Sequence, residues 1–106
     1  MFAIRISAPE RATPGEIVEL KALIRHPQES GFRLNARGVP IPRDILTRFV
    51  CLYNDQQIFA ANLYPGVSAN PFLSFHTRAT RTGTLTFRWT DQDGESYEDS
   101  VELVVA

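Results

Sequence analysis

The feature that most constrains the fold of this sequence is a pair of apolar segments on either side of Asn54-Asp55. Asn and Asp tolerate the left-handed backbone of a tight turn, so the two segments are predicted to form an antiparallel hairpin. Side chains alternate between the two faces of a strand, and here both faces are apolar. One face carries Phe49, Cys51, Tyr53, Phe59, Ala61 and Leu63, and the other carries Val50, Leu52, Ile58 and Ala60.

Whichever face packs into the core, the hairpin is predicted to expose a contiguous apolar patch on the outside of its sheet. If the Phe49 face is inside, the patch consists of Val50, Leu52, Ile58 and Ala60. The opposite parity gives a patch of Phe, Tyr and Leu side chains instead. The strand predicted around Thr86 has a polar outer face, as expected for a sheet in water, so the hairpin differs from its neighbours. We therefore expect something to cover the outer face of the hairpin.

The rest of the chain alternates in the same way, and weak alternation from Phe2 to Ser7 predicts a short first strand. One predicted strand has alternate apolar residues at Val18, Leu20, Ala22 and Ile24, and a helix is a weaker alternative there because the helical spacing is met only briefly. The clearest strand has alternate apolar residues at Leu85, Phe87 and Trp89. Gly, Pro and Asn clusters separate these segments. The pattern predicts an all-β, immunoglobulin-like antiparallel β-sandwich of about seven strands, as a single domain over residues 1–106.

A long segment without periodicity, residues 26–43, precedes the hairpin. It is rich in Pro, Gly and Arg and is predicted to be a loop. Loops of more than about 12 to 15 residues are uncommon in compact domains and are usually functional or mobile. The segment is therefore either a contact element or a solvated connection between the sheets, and its length alone does not decide between them.

Composition narrows the classes of function. Eleven basic and twelve acidic residues give a net charge of -1, which disfavours binding to duplex nucleic acid. The single cysteine excludes an internal disulfide, and the apolar segments are too short to span a bilayer. The N-terminal segment lacks the pattern of an export signal. That favours the cytoplasm unless the protein is exported with a partner that carries the signal.

Reactive chemistry has little support in the sequence. Cys51 lies between Val50 and Leu52 without a basic neighbour, so we expect a buried packing residue rather than a reactive thiol. Cys51, His26 and His76 could form a copper or zinc site, but they lack the clustered spacing of metal ligands. No Gly-x-Ser-x-Gly sequence is present. We therefore expect a protein that is not an enzyme and holds no cofactor.

Four segments together resemble the SoxZ family, one subunit of the SoxYZ sulfur carrier complex of thiosulfate oxidation. They are RHPQESG at 25–31, IPRDILTRFVCLYN at 41–54, LYPGVSANPFLSFHTRA at 63–79 and GTLTFRWTDQDGESY at 83–97. The segments cover most of the chain. Gln28 and Ser30 depart from the family pattern, which more often has Met and Thr at these positions.

The resemblance implies an immunoglobulin-like periplasmic subunit that binds SoxY, whose C-terminal Gly-Gly-Cys-Gly-Gly tail holds the sulfur intermediates covalently. This sequence contains no Gly-Gly pair, so the carrier cysteine is expected to belong to the partner. The resemblance also implies export together with the signal-bearing partner and transient contact with other Sox enzymes. Neither a nucleic acid nor a membrane is an expected partner. A SoxYZ-like carrier of another periplasmic oxidation system remains an alternative.

The apolar face is comparable in size to the ~800 Å² that each partner contributes to a standard interface, as a subunit of a heterodimer requires. The resemblance also indicates a subunit of a heterodimer. The residues predicted to contact the partner are the four patch residues together with Phe72. At the rim we expect Arg43 and the loop from Tyr64 to Pro71, including Asn70. The full set is Arg43, Val50, Leu52, Ile58, Ala60, Tyr64, Asn70 and Phe72.

Overall fold

A computed structural model describes residues 3–64 and 69–106, and this part of the chain consists of strands joined by turns and loops. The strands are β1 (Ile4–Ser7), β2 (Arg11–Ala12), β3 (Ile17–Ile24), β4 (Leu46–Tyr53), β5 (Gln56–Asn62), β6 (Phe72–Arg78), β7 (Gly83–Asp91) and β8 (Ser96–Val105). The predicted all-β fold is confirmed. Phe2, where the first strand was predicted to begin, lies outside the described residues. Within the described ranges no helix is long and apolar enough to cross a membrane.

The strands form two sheets. One has three strands in the order β1-β3-β6, and the other has five in the order β2-β8-β7-β4-β5. All pairings are antiparallel except that between β2 and β8, which is parallel. The predicted antiparallel β-sandwich is confirmed, with this one short parallel pairing at the edge of the larger sheet. The two residues of β2 run alongside the end of β8, so the short strand adds an edge without a hairpin turn.

The core lies between the two sheets and is built mainly from aromatic side chains. Phe49 is fully buried, with its ring centroid 4.9 Å from that of Trp89 and 5.9 Å from that of Phe75. Phe75 comes from the three-stranded sheet, so these contacts join the two layers. Burying one such side chain contributes about 1.5–3 kcal/mol, so this cluster stabilises the sandwich substantially.

The predicted hairpin is confirmed as β4 and β5. Asn54 and Asp55 both have positive φ, 48° and 68°, as a tight two-residue turn requires. The Asn54 side chain also accepts a hydrogen bond from the Thr84 backbone N–H, at 2.9 Å. It occupies the space in which a Cβ atom of Gly83 would lie. The turn is thus fixed to the start of β7.

The long loop before β4 is ordered at its base by a buried glutamine. The Gln28 side chain accepts a hydrogen bond from the Leu46 N–H (2.8 Å) and donates one to the Leu46 carbonyl (3.4 Å). An isolated bridge between Glu29 and Asp44 continues this pairing. A second bridge, between Leu34 and Pro40, closes the tip of the loop into a small hairpin. The segment is therefore a structured projection.

Candidate partner-binding surface

Three of the predicted patch residues lie on the outer face of the five-stranded sheet. Val50 pairs with Ala60 on β5 and with Arg88 on β7. Leu52 follows two residues later on the same face, and all three apolar side chains are half-buried. No loop of the described chain covers these three side chains completely. They form a small apolar island beside the polar outer face of β7.

The prediction that Ile58 lies on the outer face was wrong, because a β-bulge changes the parity of β5; its contact with a partner stays a prediction. Cys51 pairs with Phe59 and Leu52 pairs with Gln57, so Ile58 is the extra residue between them. Ile58 packs against the hydrophobic core and lines a groove at the sheet edge together with Tyr53. Gln57 takes the place on the outer face that the alternation assigned to Ile58. The exposed apolar patch is therefore smaller than the sequence predicted.

Phe72 lies on the outer face of the three-stranded sheet. It is 58% exposed and pairs with Leu23, which in turn pairs with Arg5. The outer faces of the two sheets of a sandwich point in opposite directions, so Phe72 and Val50 cannot contact one flat partner surface. The structure thus separates Phe72 from the other predicted contacts, and its contact with a partner stays a prediction.

The predicted rim residues are exposed. Tyr64, which is 65% exposed, lies two residues after the end of β5. The Asn70 N–H donates a hydrogen bond to the His26 carbonyl (2.7 Å), which places Asn70 beside the base of the long loop. Arg43 lies in that loop, next to Gly31. Positions 65–68 of the predicted rim loop lie outside the described residues.

Sequence reasoning missed the apolar side chains on the small hairpin of the long loop. Phe32 is 86% exposed, and Leu34 and Val39 are also exposed. Their positions lack strand or helix periodicity, so no pattern marks one face of the segment. The only available signal was the presence of large apolar residues in a predicted loop.

β5 forms one free edge of the five-stranded sheet, and a groove of about 370 Å³ lies at its N-terminal end. Gln56 and Ile58 line the groove from β5, and Arg78 and Arg81 line it from the other side. Tyr53 forms its inner wall. Neither arginine makes an ion pair with a described residue. The groove thus presents positive charge beside an apolar side chain.

Hydrogen bonds hold Tyr53 in the groove wall. Its hydroxyl accepts hydrogen bonds from the backbone N–H groups of Thr80 and Arg81, both at 3.2 Å, and donates one to the Arg81 carbonyl. Burial raises the pKa of Tyr53, but the hydrogen bonds from Arg81 and Thr80 and the Arg81 charge outweigh burial and lower the pKa. The loop that carries Arg81 is therefore fixed to the end of β4.

The thiol of Cys51 is unsuited to chemistry. Cys51 is fully buried in the core, and burial raises the pKa of its thiol to about 12. At neutral pH the thiol is protonated, and the protonated form is a poor nucleophile and metal ligand. The prediction of a buried packing cysteine is confirmed.

The structure contradicts a metal site formed by Cys51, His26 and His76. Cys51 points into the core from the five-stranded sheet, whereas His76 is exposed on the outer face of the other sheet, 3.8 Å from a Glu19 carboxylate oxygen. His26 is buried at the base of the loop, where its Nδ1 accepts a hydrogen bond from the Gln28 N–H (3.2 Å). Among the described residues, no group of three potential metal ligands occurs.

Comparison with solved structures identifies the same fold in several proteins. A superoxide reductase (neelaredoxin) from Ignicoccus hospitalis has a TM-score of 0.72 at 17% identity; the match covers 97% of this chain and 80% of that one. The sulfur carrier protein SoxY from Chlorobium limicola f thiosulfatophilum has a TM-score of 0.70 at 20% identity, covering 98% and 79%. The CARDB domain of the PF1109 protein from Pyrococcus furiosus has a TM-score of 0.54 at 12% identity, covering 100% and 94%. At these identities the matches show the fold alone.

No curated protein sequence matches the chain. A family model does: the family described as sulphur oxidation protein SoxZ matches residues 4–102. The matched range includes every strand of the sandwich except the last residues of β8. It confirms the resemblance that the four sequence segments indicated, and the chain belongs to the SoxZ family.

Proposed function

We propose that this protein is the non-catalytic subunit that binds a SoxY-type protein and forms with it the carrier on which sulfur intermediates of thiosulfate oxidation are held. The sulfur is attached to the cysteine of the SoxY-type partner. This chain provides a rigid support for the partner and part of the surface that the successive enzymes contact.

The observation that carries the proposal is the environment of Cys51 within a family of sulfur oxidation proteins. A covalent sulfur carrier needs an accessible thiolate, because the thiolate is the nucleophile in sulfur exchange. The single cysteine of the sequence is fully buried and its pKa is raised to about 12. A carrier built with this chain therefore needs a thiol from another subunit.

The surface of the β4–β5 hairpin supports a role in binding. Val50, Leu52 and Ala60 are half-buried on an outer sheet face that is otherwise polar. An apolar island of this kind is typical of the centre of a protein interface with a polar rim. Arg43, Tyr64 and Asn70 remain predicted contacts near the loop end of the same sandwich.

The cellular location of the protein follows from the same proposal. A subunit that binds its partner stably before export can cross the membrane folded against a partner that bears the export signal. We propose that this protein reaches the periplasm in that way. Expression of this chain with and without the partner, followed by separation of periplasm and cytoplasm, tests the point: retention in the cytoplasm in both cases contradicts it.

Co-expression with a SoxY-type subunit tests the central proposal. We expect a one-to-one complex by size-exclusion chromatography with light scattering, and, after loading with thiosulfate and the cognate enzymes, a sulfur adduct on the partner in intact-mass spectra. The variant Cys51→Ala should give the same adduct on the partner. Absence of a complex, or an adduct on Cys51, contradicts the proposal.

A pair of variants tests the outer face of the hairpin. Leu52→Asp places a charge in the apolar island, whereas Ser100→Asp places the same charge in the same row of the sheet, two strands away. We expect the first to weaken binding of the partner at least about tenfold and the second to have little effect. Equal affinities of the two variants would show that the island does not contact the partner.

A further inference from the structure

The free edge of β5 differs from the other sheet edges. Its sequence, QQIFAAN, contains no charged residue and no proline over seven residues. Exposed edges are normally protected by charges, proline, β-bulges or short length, because their unpaired N–H and C=O groups can bind another strand, and of these β5 has only its bulge at Ile58. The edge strands β1 and β2 are short, at four and two residues, and β6 carries His76 and Arg78. β5 is the long edge that lacks charged residues and proline.

The core is also incompletely covered behind β5. Phe59 faces inward and stacks on Phe75, with 4.3 Å between ring centroids, yet it is only half-buried. Its pairing partner Cys51 on β4 is fully buried. Ala61 and Ile58 are likewise half-buried. A further strand along this edge would cover side chains that the chain itself leaves partly in water.

Positive charge lies at the N-terminal end of the same edge. Arg78 and Arg81 line the groove next to Gln56 and Ile58 and have no acidic partner among the described residues. A strand lying along β5 would place one of its terminal residues at this groove. A carboxylate there would pair with a guanidinium.

We propose that β5 is the docking strand for an edge strand of the SoxY-type subunit, which adds to the five-stranded sheet and places an acidic side chain in the groove lined by Arg78 and Arg81. The inference rests on the proposed function and specifies its interface. The solved SoxY structure has the same sandwich over 98% of this chain, so a partner of that fold also has sheet edges to offer. Two subunits of one fold can then join through their sheets, as in strand addition generally.

The backbone pattern of β5 defines a test by hydrogen exchange. The Leu63 N–H donates to Thr47 on β4, so by alternation the N–H groups of Ala60 and Asn62 point toward the free edge. In the complex we expect these two amides to be protected at least about tenfold relative to the isolated chain. Protection confined to other surfaces overturns the docking strand but leaves the proposed function intact. Failure to form any complex overturns both.

Substitutions provide a second test. Ala60→Pro removes an outward N–H without removing a bond to β4, and we expect it to weaken partner binding about tenfold or more. Ser74→Pro is the matched control on the free edge of β6 and should bind normally. Thermal unfolding of both variants verifies that they fold; if Ala60→Pro does not fold, the exchange experiment decides the question.

Charge reversal tests the groove. Arg81→Glu should weaken binding about tenfold, and an acidic-to-Arg substitution on the partner strand should restore it. Arg5→Glu, on the opposite sheet, is the control and should bind normally. If the isolated chain instead forms a homodimer that protects the β5 amides, a second copy occupies the edge and the proposed occupant is wrong.

Discussion

Replacement of Gln28 gives the sharpest test of how the long loop is held. Gln28 is only 7% exposed and its side chain bonds both the N–H and the carbonyl of the fully buried Leu46. Gln28→Leu leaves the Leu46 N–H without its partner, and an unsatisfied buried donor costs about 1–3 kcal/mol. The bond to the carbonyl is long at 3.4 Å and contributes little more. We expect the free energy of unfolding to fall by about 2 kcal/mol and the Tm by about 10 °C.

Gln28→Glu separates the hydrogen bonds from packing, because its size is unchanged. At pH 7 the introduced carboxylate still accepts from the Leu46 N–H but repels the Leu46 carbonyl, and burial disfavours its charge. The pKa of this carboxyl is therefore raised in the folded state. The Gln28→Glu protein is therefore most stable relative to the wild type below the ordinary pKa of Glu, and it loses that stability as pH rises through the raised pKa.

Urea unfolding from pH 4 to pH 8 measures both effects, with Ser30→Ala as a control in the same loop. A Gln28→Leu protein within about 0.5 kcal/mol of the wild type would refute the reasoning, since it would mean that the glutamine does not satisfy Leu46. A Gln28→Glu protein with a stability independent of pH, relative to the wild type, would contradict the expected titration.

Three further predictions concern the hairpin. Cys51 should not react with iodoacetamide in the folded protein at pH 8, and alkylation of the native state at the rate of a free thiol would contradict this. The wild type should also lose stability relative to Cys51→Ala as pH rises from 9.0 toward about 12, because the raised pKa of the buried thiol makes its ionisation favour unfolding. Gly83→Ala should lower stability by about 1–2 kcal/mol, since the added Cβ displaces the Asn54 side chain from the Thr84 N–H; an unchanged urea midpoint would count against it. Tyr53→Phe should cost about 2 kcal/mol by leaving two N–H groups without an acceptor, whereas Tyr64→Phe at an exposed position should have little effect; equal Tm values for the two would contradict the role of the Tyr53 hydroxyl.

The fold could be predicted from the sequence because the period-2 alternation depends only on the pleat of a strand. The parity that buries Phe49, Cys51 and Tyr53 is the one observed, and the turn at Asn54-Asp55 follows from residues that tolerate positive φ. The parallel pairing of β2 had no such signal, because two residues carry no periodicity.

The site could be predicted only in part, and the limits have physical causes. A bulge inserts one residue and reverses the parity beyond it, so Ile58 turned toward the core although its neighbours gave no warning. The placement of Phe72 depended on which sheet β6 joins, and alternation within a strand does not determine its pairing. Nothing in the sequence around Gln28 indicated that its side chain bonds Leu46, 18 residues away.

The same bulge connects the fold to binding. Without the bulge, Ile58 would extend the apolar island on the outer face, and the hairpin would present a flat apolar surface. With it, the outer face keeps only Val50, Leu52 and Ala60, while Ile58 joins Phe59 at the edge of the sandwich. Apolar surface is thereby moved from the face of the sheet to its edge, next to unpaired backbone groups. Such an edge favours a partner that supplies a strand and its hydrogen bonds over one that packs by hydrophobic contact alone, because an unpaired edge covered by apolar atoms would leave buried N–H and C=O groups unsatisfied.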